Sequence, residues 1–350
     1  MPDPAELLHP LLARIAAGQA LSEAEAEAAF GAVIRGDATE GQIGALLMGL
    51  AVRGETVAEL AGAVRAMRAH MRPVPGLEAA IDVCGTGGDR LGTLNVSTAV
   101  AFVVAGAGVT VAKHGNRSAS SRSGGADVLA ALGVRLDPPL ERLGAIAREA
   151  GLVFLFAPRH HPGLAHAAAV RRALGVRTLF NLLGPLANPA SVAHQLTGVF
   201  SPAWLQPVAD ALARLGTRRA WVVHGAGMDE LCLEGENHIV TVHGTQTRRL
   251  SLSAASLGLR AAPVAAIEGG DAAENAECLL DLLEGRQTRG ERGAARAAAY
   301  QDTVLLNAAS ALVVAGMTDE LEQGLALARA ALASGAALAR LHALRRASGA

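Results

Sequence analysis

The chain has 350 residues, 51% of them hydrophobic and 18% charged, with a formal net charge of −1. Such a chain builds an ample core, with room for two domains or for one large domain beside a smaller one. The near-zero charge gives no bulk attraction to nucleic acid or to an anionic membrane surface. Aromatics at 3% are too sparse for the base-stacking platforms of single-stranded nucleic-acid binding.

Three widely spaced cysteines (Cys84, Cys232, Cys278) fit neither a disulfide framework nor a zinc site. The N-terminal MPDPAELLHP lacks the basic-then-apolar pattern of a signal peptide, and together these features predict a protein of the reducing cytoplasm. The longest apolar run, Ala99 to Ala112, is too short to span a bilayer and contains glycine, so no membrane partner is expected.

Residues 1–72 read as wholly helical, with apolar positions at helical spacing and Ser22 and Glu25 placed as a capping box. PVPG (73–76) predicts a domain hinge. The pattern then alternates. A strand at 79–84 leads through a glycine loop to a helix over 96–107. Strand VTVA leads into KHGNRSASSRSGGAD and helices near 126–132 and 138–150. Strand LVFLFA, strand-like HQLTGVF, a helix from Pro202 to Leu215 and strand RAWVVHG follow. This rhythm predicts an α/β domain on a mostly parallel central sheet. IVTVHG and TRRLSL read as a short hairpin, and the C-terminal third as helical, ending in one long amphipathic helix. The segment 163–190 interrupts the alternation with a helix from Leu164 to Leu174 and an irregular FNLLGPLANP. It is expected to return to the helical part. The small N-terminal helical domain is then discontinuous (1–72 with 163–190) beside a larger α/β domain (76–162 and 191–350).

Four segments carry chemistry. DVCGTGGDRLGTLNVST (82–98) sits between a strand and a helix, where bare N–H groups bind phosphate, although a plain capped turn uses the same residues. It is not the dinucleotide fingerprint, which needs glycine at Arg90, nor a P-loop, which needs Gly-Lys-Ser/Thr. Asn95, Ser97 and Thr98 add short polar groups at the helix start. The second loop holds Lys113, His114, Asn116, Arg117 and Arg122 among serines and glycines, a mixture that favours a polyanion over plain solvated surface. In an open parallel sheet both loops lie at the strands' carboxyl ends, where ligands bind. HGAGMDELCLEG (224–235) brings Asp229 and Glu230 to the end of another strand. Adjacent acids are commonly surface, but facing a phosphate site they become candidate magnesium ligands. Arg171 and Arg172 lie on a helix of small apolar residues; they are surface groups, or one of them clamps a carboxylate with its planar fork.

GTGGD with NVST, KHGNRSASS, the HP…VRRALGVRTLFNLLGPLANP segment and GMDE stand in the order and approximate spacing of one family, as do GGDAAENA (269–276) and DTVLLNAASAL (302–312). Over almost its whole length the chain resembles the anthranilate phosphoribosyltransferases of tryptophan biosynthesis. The resemblance implies a homodimer joined through the helical domains, and two magnesium ions per chain. It also implies transfer of the phosphoribosyl group from 5-phosphoribosyl 1-diphosphate to the amino group of anthranilate, with release of pyrophosphate. Carried over by residue, Gly85, Gly88 and Asp89 wrap the diphosphate sugar, with Gly85 also near anthranilate. Thr93, Asn95, Val96, Ser97 and Thr98 continue that site, Ser97 touching one magnesium. Lys113, His114, Gly115, Asn116, Arg117, Ser118, Ala119, Ser120, Ser121 and Gly125 meet the donor, with Asn116 also reaching anthranilate. Arg171 pairs with anthranilate, and Asp229 and Glu230 hold metal.

The family pattern commonly has glycine where this chain has Arg90, and serine or alanine in place of Gly125. No residue is assigned as a certain catalyst; His114 and His161 are the nearest candidates if a base is used. The rival readings are a pyrimidine nucleoside phosphorylase, which shares the architecture, and a catalytically silent relative that binds nucleic acid.

Overall fold

Three of the first four helices open in the same way. The hydroxyls of Ser22, Thr39 and Thr56 each accept from the N–H three residues on, while Glu25, Gln42 and Glu59 reach back to the cap's own N–H. Each reciprocal pair satisfies two donors that a helix start otherwise leaves bare. The computed structural model describes residues 4–117, 122–286 and 291–349. Its N-terminal helices are α1 (Pro4–Ala16), α2 (Glu23–Arg35), α3 (Glu40–Arg53) and α4 (Val57–His70).

Beyond 76 the chain alternates. β1 (Ile81–Gly85), α5 (Val96–Gly106), β2 (Val111–Gly115), α6 (Gly125–Ala131), α7 (Leu143–Ala150) and β3 (Leu152–Phe156) come first. α8 (Ala157–His160), α9 (Ala165–Leu174) and α10 (Phe180–Leu186) interrupt. β4 (His194–Gly198), α11 (Leu205–Arg214), β5 (Arg219–Gly225), β6 (Glu236–His243) and β7 (Gln246–Ser253) complete the sheet. The chain closes with α12 (Ala272–Glu284), α13 (Glu291–Val314), α14 (Leu321–Ala333) and α15 (Ala336–Ser348). The sheet order is β3-β2-β1-β4-β5-β6-β7, with β1 to β5 parallel and β6 and β7 antiparallel. Connections run one way from β1 to β3 and the other way from β4. The β1/β4 boundary is therefore a topological switch point, beyond whose strand ends open sheets bind ligands.

Alternate side chains of the sheet feed two cores. Ile81, Val83, Leu196 and Val223 face α5 and the C-terminal helices. Val222, Val240 and Val242 face α11 in a core continuous with Phe30, Leu46 and Leu60 of the helical bundle and with Val170 and Phe180 of α9 and α10. The bundle thus shares its interior with one face of the sheet. Arg68 of α4 reinforces the junction. Its guanidinium donates to the Leu186 carbonyl at 2.8 and 3.1 Å and to the Leu215 carbonyl at 3.4 Å, capping the ends of α10 and α11. Burial pushes its pKa down to about 10. The crossing at 73–76 is pinned as well: Arg72 N–H donates to His160 O at 2.8 Å and Val74 N–H to Pro189 O at 2.9 Å.

Three expectations about elements are corrected. FNLLGPLANP is helical over Phe180–Leu186, not irregular, because Phe180, Leu182, Leu183 and Leu186 are buried and Pro185 falls in the last turn. The helix expected near 138–150 divides into a 3₁₀ turn at Leu140–Arg142 and α7. The single long C-terminal helix is two, α14 and α15, bent by 63°. Gly335 between them has φ 75°, a left-handed backbone that interrupts the helix. Among the described residues no single helix is long and apolar enough to cross a membrane.

Candidate active site

Gly88, Lys113 and Glu230 all open onto one cavity of about 380 Å³ beyond the strands' carboxyl ends. Its floor is built by close approach. A Cβ added at Gly85 would lie 2.0 Å from Asp229 Oδ2, and one at Gly198 would lie 1.3 Å from Asp229 O. β1 and β4 therefore end in glycine because the acid-bearing loop rests directly on them. Gly87 N–H donates to Asp229 Oδ2 at 2.6 Å, so the glycine loop and the acid loop are one assembly. The outer limb of the glycine loop is braced by a bridge from Thr93 to Glu268, by Leu94 N–H to Ile267 O at 2.9 Å, and by Gly269 N–H to Gly92 O at 2.7 Å. The Asn95 side chain does not cap α5; it accepts from Asn275 Nδ2 at 2.9 Å instead. The Ser97 N–H at the helix start meets the Glu230 carboxylate.

On the other side of β1, its ladder with β2 is seated at Ile81 and Val111. Polar side chains join the strands further along. Lys113 Nζ donates to Val83 O at 2.5 Å and to Ser97 Oγ at 3.2 Å. The buried Asp82 carboxylate accepts from His114 N–H at 3.1 Å and from Asn188 Nδ2 at 2.7 Å. His114 Nδ1 donates to Gly184 O at 2.9 Å, which leaves Nε2 as the ring's acceptor. Its ring lies 5.2 Å from that of His161. Burial, then the neighbouring His161, pushes the His114 pKa to about 3; burial, then His160, pushes His161 to about 4. Both imidazoles are neutral at physiological pH. Gly115 lies against Phe154, whose ring would be 2.7 Å from an added Cβ. Asn116 and Arg117 are exposed at the rim, and Arg117 pairs with Asp127 at 2.7 Å. Gly125 is also tight, with Thr98 Oγ1 3.0 Å from an added Cβ.

At the start of α5 the side chains of Val96 and Thr98 are buried beneath the cleft while Ser97 lines it, because one step along a helix turns the side chain by about 100°. Ser118, Ala119, Ser120 and Ser121 lie outside the described residues.

Asp229 and Glu230 are joined by Asp89, a third acid assigned from sequence only to the sugar. One carboxylate oxygen from each lies within 4.8 Å of the others. Burial, then the Asp89 charge, raises the Asp229 pKa to about 7. Burial, then Asp229 and Asp89, pushes Glu230 well above the usual carboxylate range. Such mutual repulsion is relieved by a hard divalent cation bound through oxygen, so this donor set fits magnesium.

The opposite wall comes from α9 and α10. Arg171 is half-buried with its guanidinium 5.0 Å from the Phe180 ring centroid, while Arg172 is exposed. Leu164, Leu183 and Pro185 make the wall around it apolar. Arg177, which sequence reasoning passed over, donates to Gly88 O and lies 4.3 Å over the Phe200 ring, linking this wall to the glycine loop. A second cavity of about 380 Å³, between α11 and the β6–β7 hairpin, gathers none of the expected site residues.

Residues 9–71 match the helical bundle domain of a glycosyl transferase family, and residues 77–338 match that family's α/β domain. The fold and cleft thus define a two-domain glycosyltransferase. The anthranilate phosphoribosyltransferase of Brucella suis biovar 1 (strain 1330) is 50% identical over 332 residues, 95% of each chain. The crystal structure of anthranilate phosphoribosyltransferase from Thermus thermophilus matches with a TM-score of 0.90 at 44% identity, covering 97% of this chain and 99% of that one. The Saccharomyces cerevisiae enzyme in complex with PRPP and Mg matches at 0.86 and 25% identity, covering 97% of each. The chain belongs to the anthranilate phosphoribosyltransferase family.

Proposed function

We propose that the protein transfers the 5-phosphoribosyl group from 5-phosphoribosyl 1-diphosphate to the amino nitrogen of anthranilate, giving N-(5-phosphoribosyl)anthranilate and pyrophosphate. The observation that carries this reading is the meeting of the glycine loop, the Lys113 loop and three acids in one cleft of a chain 50% identical to enzymes of that name.

The C1–O bond to pyrophosphate breaks as the C1–N bond forms, and the amine then loses a proton to solvent. Mg²⁺, when bound, would supply positive charge to offset that of the departing pyrophosphate. Asp89, Asp229 and Glu230 would hold it, with Ser97 close by; two ions per chain are part of the proposal. Gly85, Gly88, Thr93, Asn95 and Gly125 give the donor close access to backbone and small polar groups. Lys113, Asn116 and Arg117 supply charge and hydrogen bonds to its phosphates. Arg171 pairs with the anthranilate carboxylate beside an apolar bed that takes the ring. The neutral His114 and His161 orient these groups and leave the amine, already a nucleophile when uncharged, to attack unaided. Most of the rate then comes from positioning and preorganised charge.

The reading extends to a helical domain of 1–72 with 163–190, to a homodimer formed through it, and to a cytoplasmic location in keeping with the sparse cysteines. Purified protein mixed with magnesium, anthranilate and donor is expected to extinguish anthranilate fluorescence, and to do so only when all components are present. Unchanged fluorescence alongside phosphorolysis of a pyrimidine nucleoside would overturn the reading. Light scattering at the mass of a single chain would remove the dimer.

A further inference from the structure

Asp229 and Glu230 sit in a stretch between β5 and β6 that has no helix or strand of its own. Its neighbours Ala226 and Gly227 have φ of 46° and 90°, so the backbone enters it through left-handed turns. Three acids that repel one another press on this loop, and an unsupported loop would relax away from the cleft. Two buried asparagines oppose that motion. Asn237 of β6 accepts from Cys232 N–H at 2.7 Å and donates to Cys232 O at 2.9 Å. Asn307 of α13 does the same one residue nearer the acids. Its Oδ1 accepts from Leu231 N–H at 3.0 Å and its Nδ2 donates to Leu231 O at 2.8 Å.

The second Asn307 proton goes to Thr303 O at 2.9 Å, so all of the amide's donors are used. Asn307 is 2% exposed and borders a small void together with Ser97, Asp229 and Glu230. A carboxamide is the side chain whose donor and acceptor can match the N–H and C=O of a single residue. An aspartate there would set a carboxylate against the Leu231 carbonyl and the acid pair. An apolar residue would leave the Leu231 N–H and C=O both unpaired in the interior, where each is costly.

We infer that Asn307 is a positioning residue, which fixes Asp229 and Glu230 toward the cleft by clamping the Leu231 backbone to helix α13. In its consequence for metal this rests on the ligand assignment made above. The clamp also gives a working role to DTVLLNAASAL, whose asparagine lies far in sequence from every substrate loop.

The test uses the full chain with Asn307→Asp, the milder Asn307→Ser, and Val304→Ala as a packing control on the same helix. Val304 is fully buried, and its truncation removes packing without a hydrogen bond. Two readouts are taken. Mn²⁺ binding in the presence of pyrophosphate, followed by electron paramagnetic resonance, is expected to weaken about tenfold or more in the Asn307 variants. The anthranilate KM should stay within about twofold, and the control should keep parental Mn²⁺ affinity despite a lower melting temperature. Hydrogen exchange of the 228–232 amides should accelerate in the Asn307 variants and not in the control. Equal exchange in the Asn307 variants and Val304→Ala would overturn the inference. Faster exchange with unchanged Mn²⁺ affinity would keep the clamp and reject the metal assignment.

Discussion

The wall of the cleft formed by β1, β4 and the acid loop offers backbone N–H groups and carboxylates, whereas the wall formed by α9 and α10 offers one guanidinium on an apolar bed. On the first wall the chain itself is in contact: Gly85 and Gly198 lie so close to Asp229 that a methyl group has no room. On the second, Arg171 projects from a helix over Phe180, and its neighbours only have to be apolar and of suitable size. The contrast follows the ligands proposed for each side. A diphosphate is a dense cluster of charged oxygens that needs many short donors, while an aromatic acid needs one cation and a flat greasy surface.

Breaking the first wall should have the largest effect. Asp229→Ala with Glu230→Ala is expected to lower kcat/KM roughly 10²–10³-fold, in the range seen when a preorganised charge-stabilising group is removed. The circular dichroism spectrum should be unchanged and the melting temperature no lower, since repelling buried acids are removed. Normal kinetics would show that the acids serve the fold alone. On the second wall, Arg171→Ala removes charge-assisted hydrogen bonds worth about 1.5–3 kcal/mol. Steady-state kinetics should show the anthranilate KM rising about 10–100-fold while that for the donor stays within about twofold. An equal effect on both would mean that the walls do not divide the substrates.

The histidine pair at the join should be visible in stability rather than rate. Both pKa values are depressed in the folded protein, to about 3 and about 4, from the ordinary value of about 6.5. Their contribution is therefore complete above pH ~6.5 and is lost as pH falls toward those folded values, by about 1–2 kcal/mol each at pH 5. Urea midpoints at pH 7 and pH 5 should diverge less in His114→Gln/His161→Gln than in the parent. The smallest effect is expected at Arg90, whose φ of 65° strains an L side chain. Arg90→Gly relieves about 1 kcal/mol, partly offset by the freer unfolded chain. Melting should shift upward slightly with kcat within twofold. A selective loss of donor affinity would instead make Arg90 a phosphate contact.

What could be read from sequence follows the same division. The strand–helix rhythm and the two polar loops were legible because their residues are contiguous and sit at strand ends by the logic of a parallel sheet. Asp89 was assigned to sugar alone because its union with Asp229 and Glu230 is made by the sheet, between residues far apart in the sequence. Arg177, Asn188 and Asn307 were missed for the same reason: each bonds to backbone far away in the chain. Val96 and Thr98 sit one helix step to either side of Ser97, and helix phase buries their side chains where Ser97 faces the cleft. FNLLGPLANP reads as irregular in sequence, and the burial of Phe180, Leu182, Leu183 and Leu186 that holds it helical shows only in the fold. A positive φ at Arg90 also accounts for the glycine that the family pattern prefers there.

The interior shared by α2, α3, α9 and α10 sets an order on biosynthesis. During translation the first helices leave the ribosome well before the mid-chain segment that covers them has been made. Their apolar flank must stay open, or be shielded by a chaperone, until that segment emerges. A nascent chain arrested before Ala165 is accordingly expected to be sticky and protease-sensitive, and one arrested well beyond Leu215, with α11 also made, to be compact in this region.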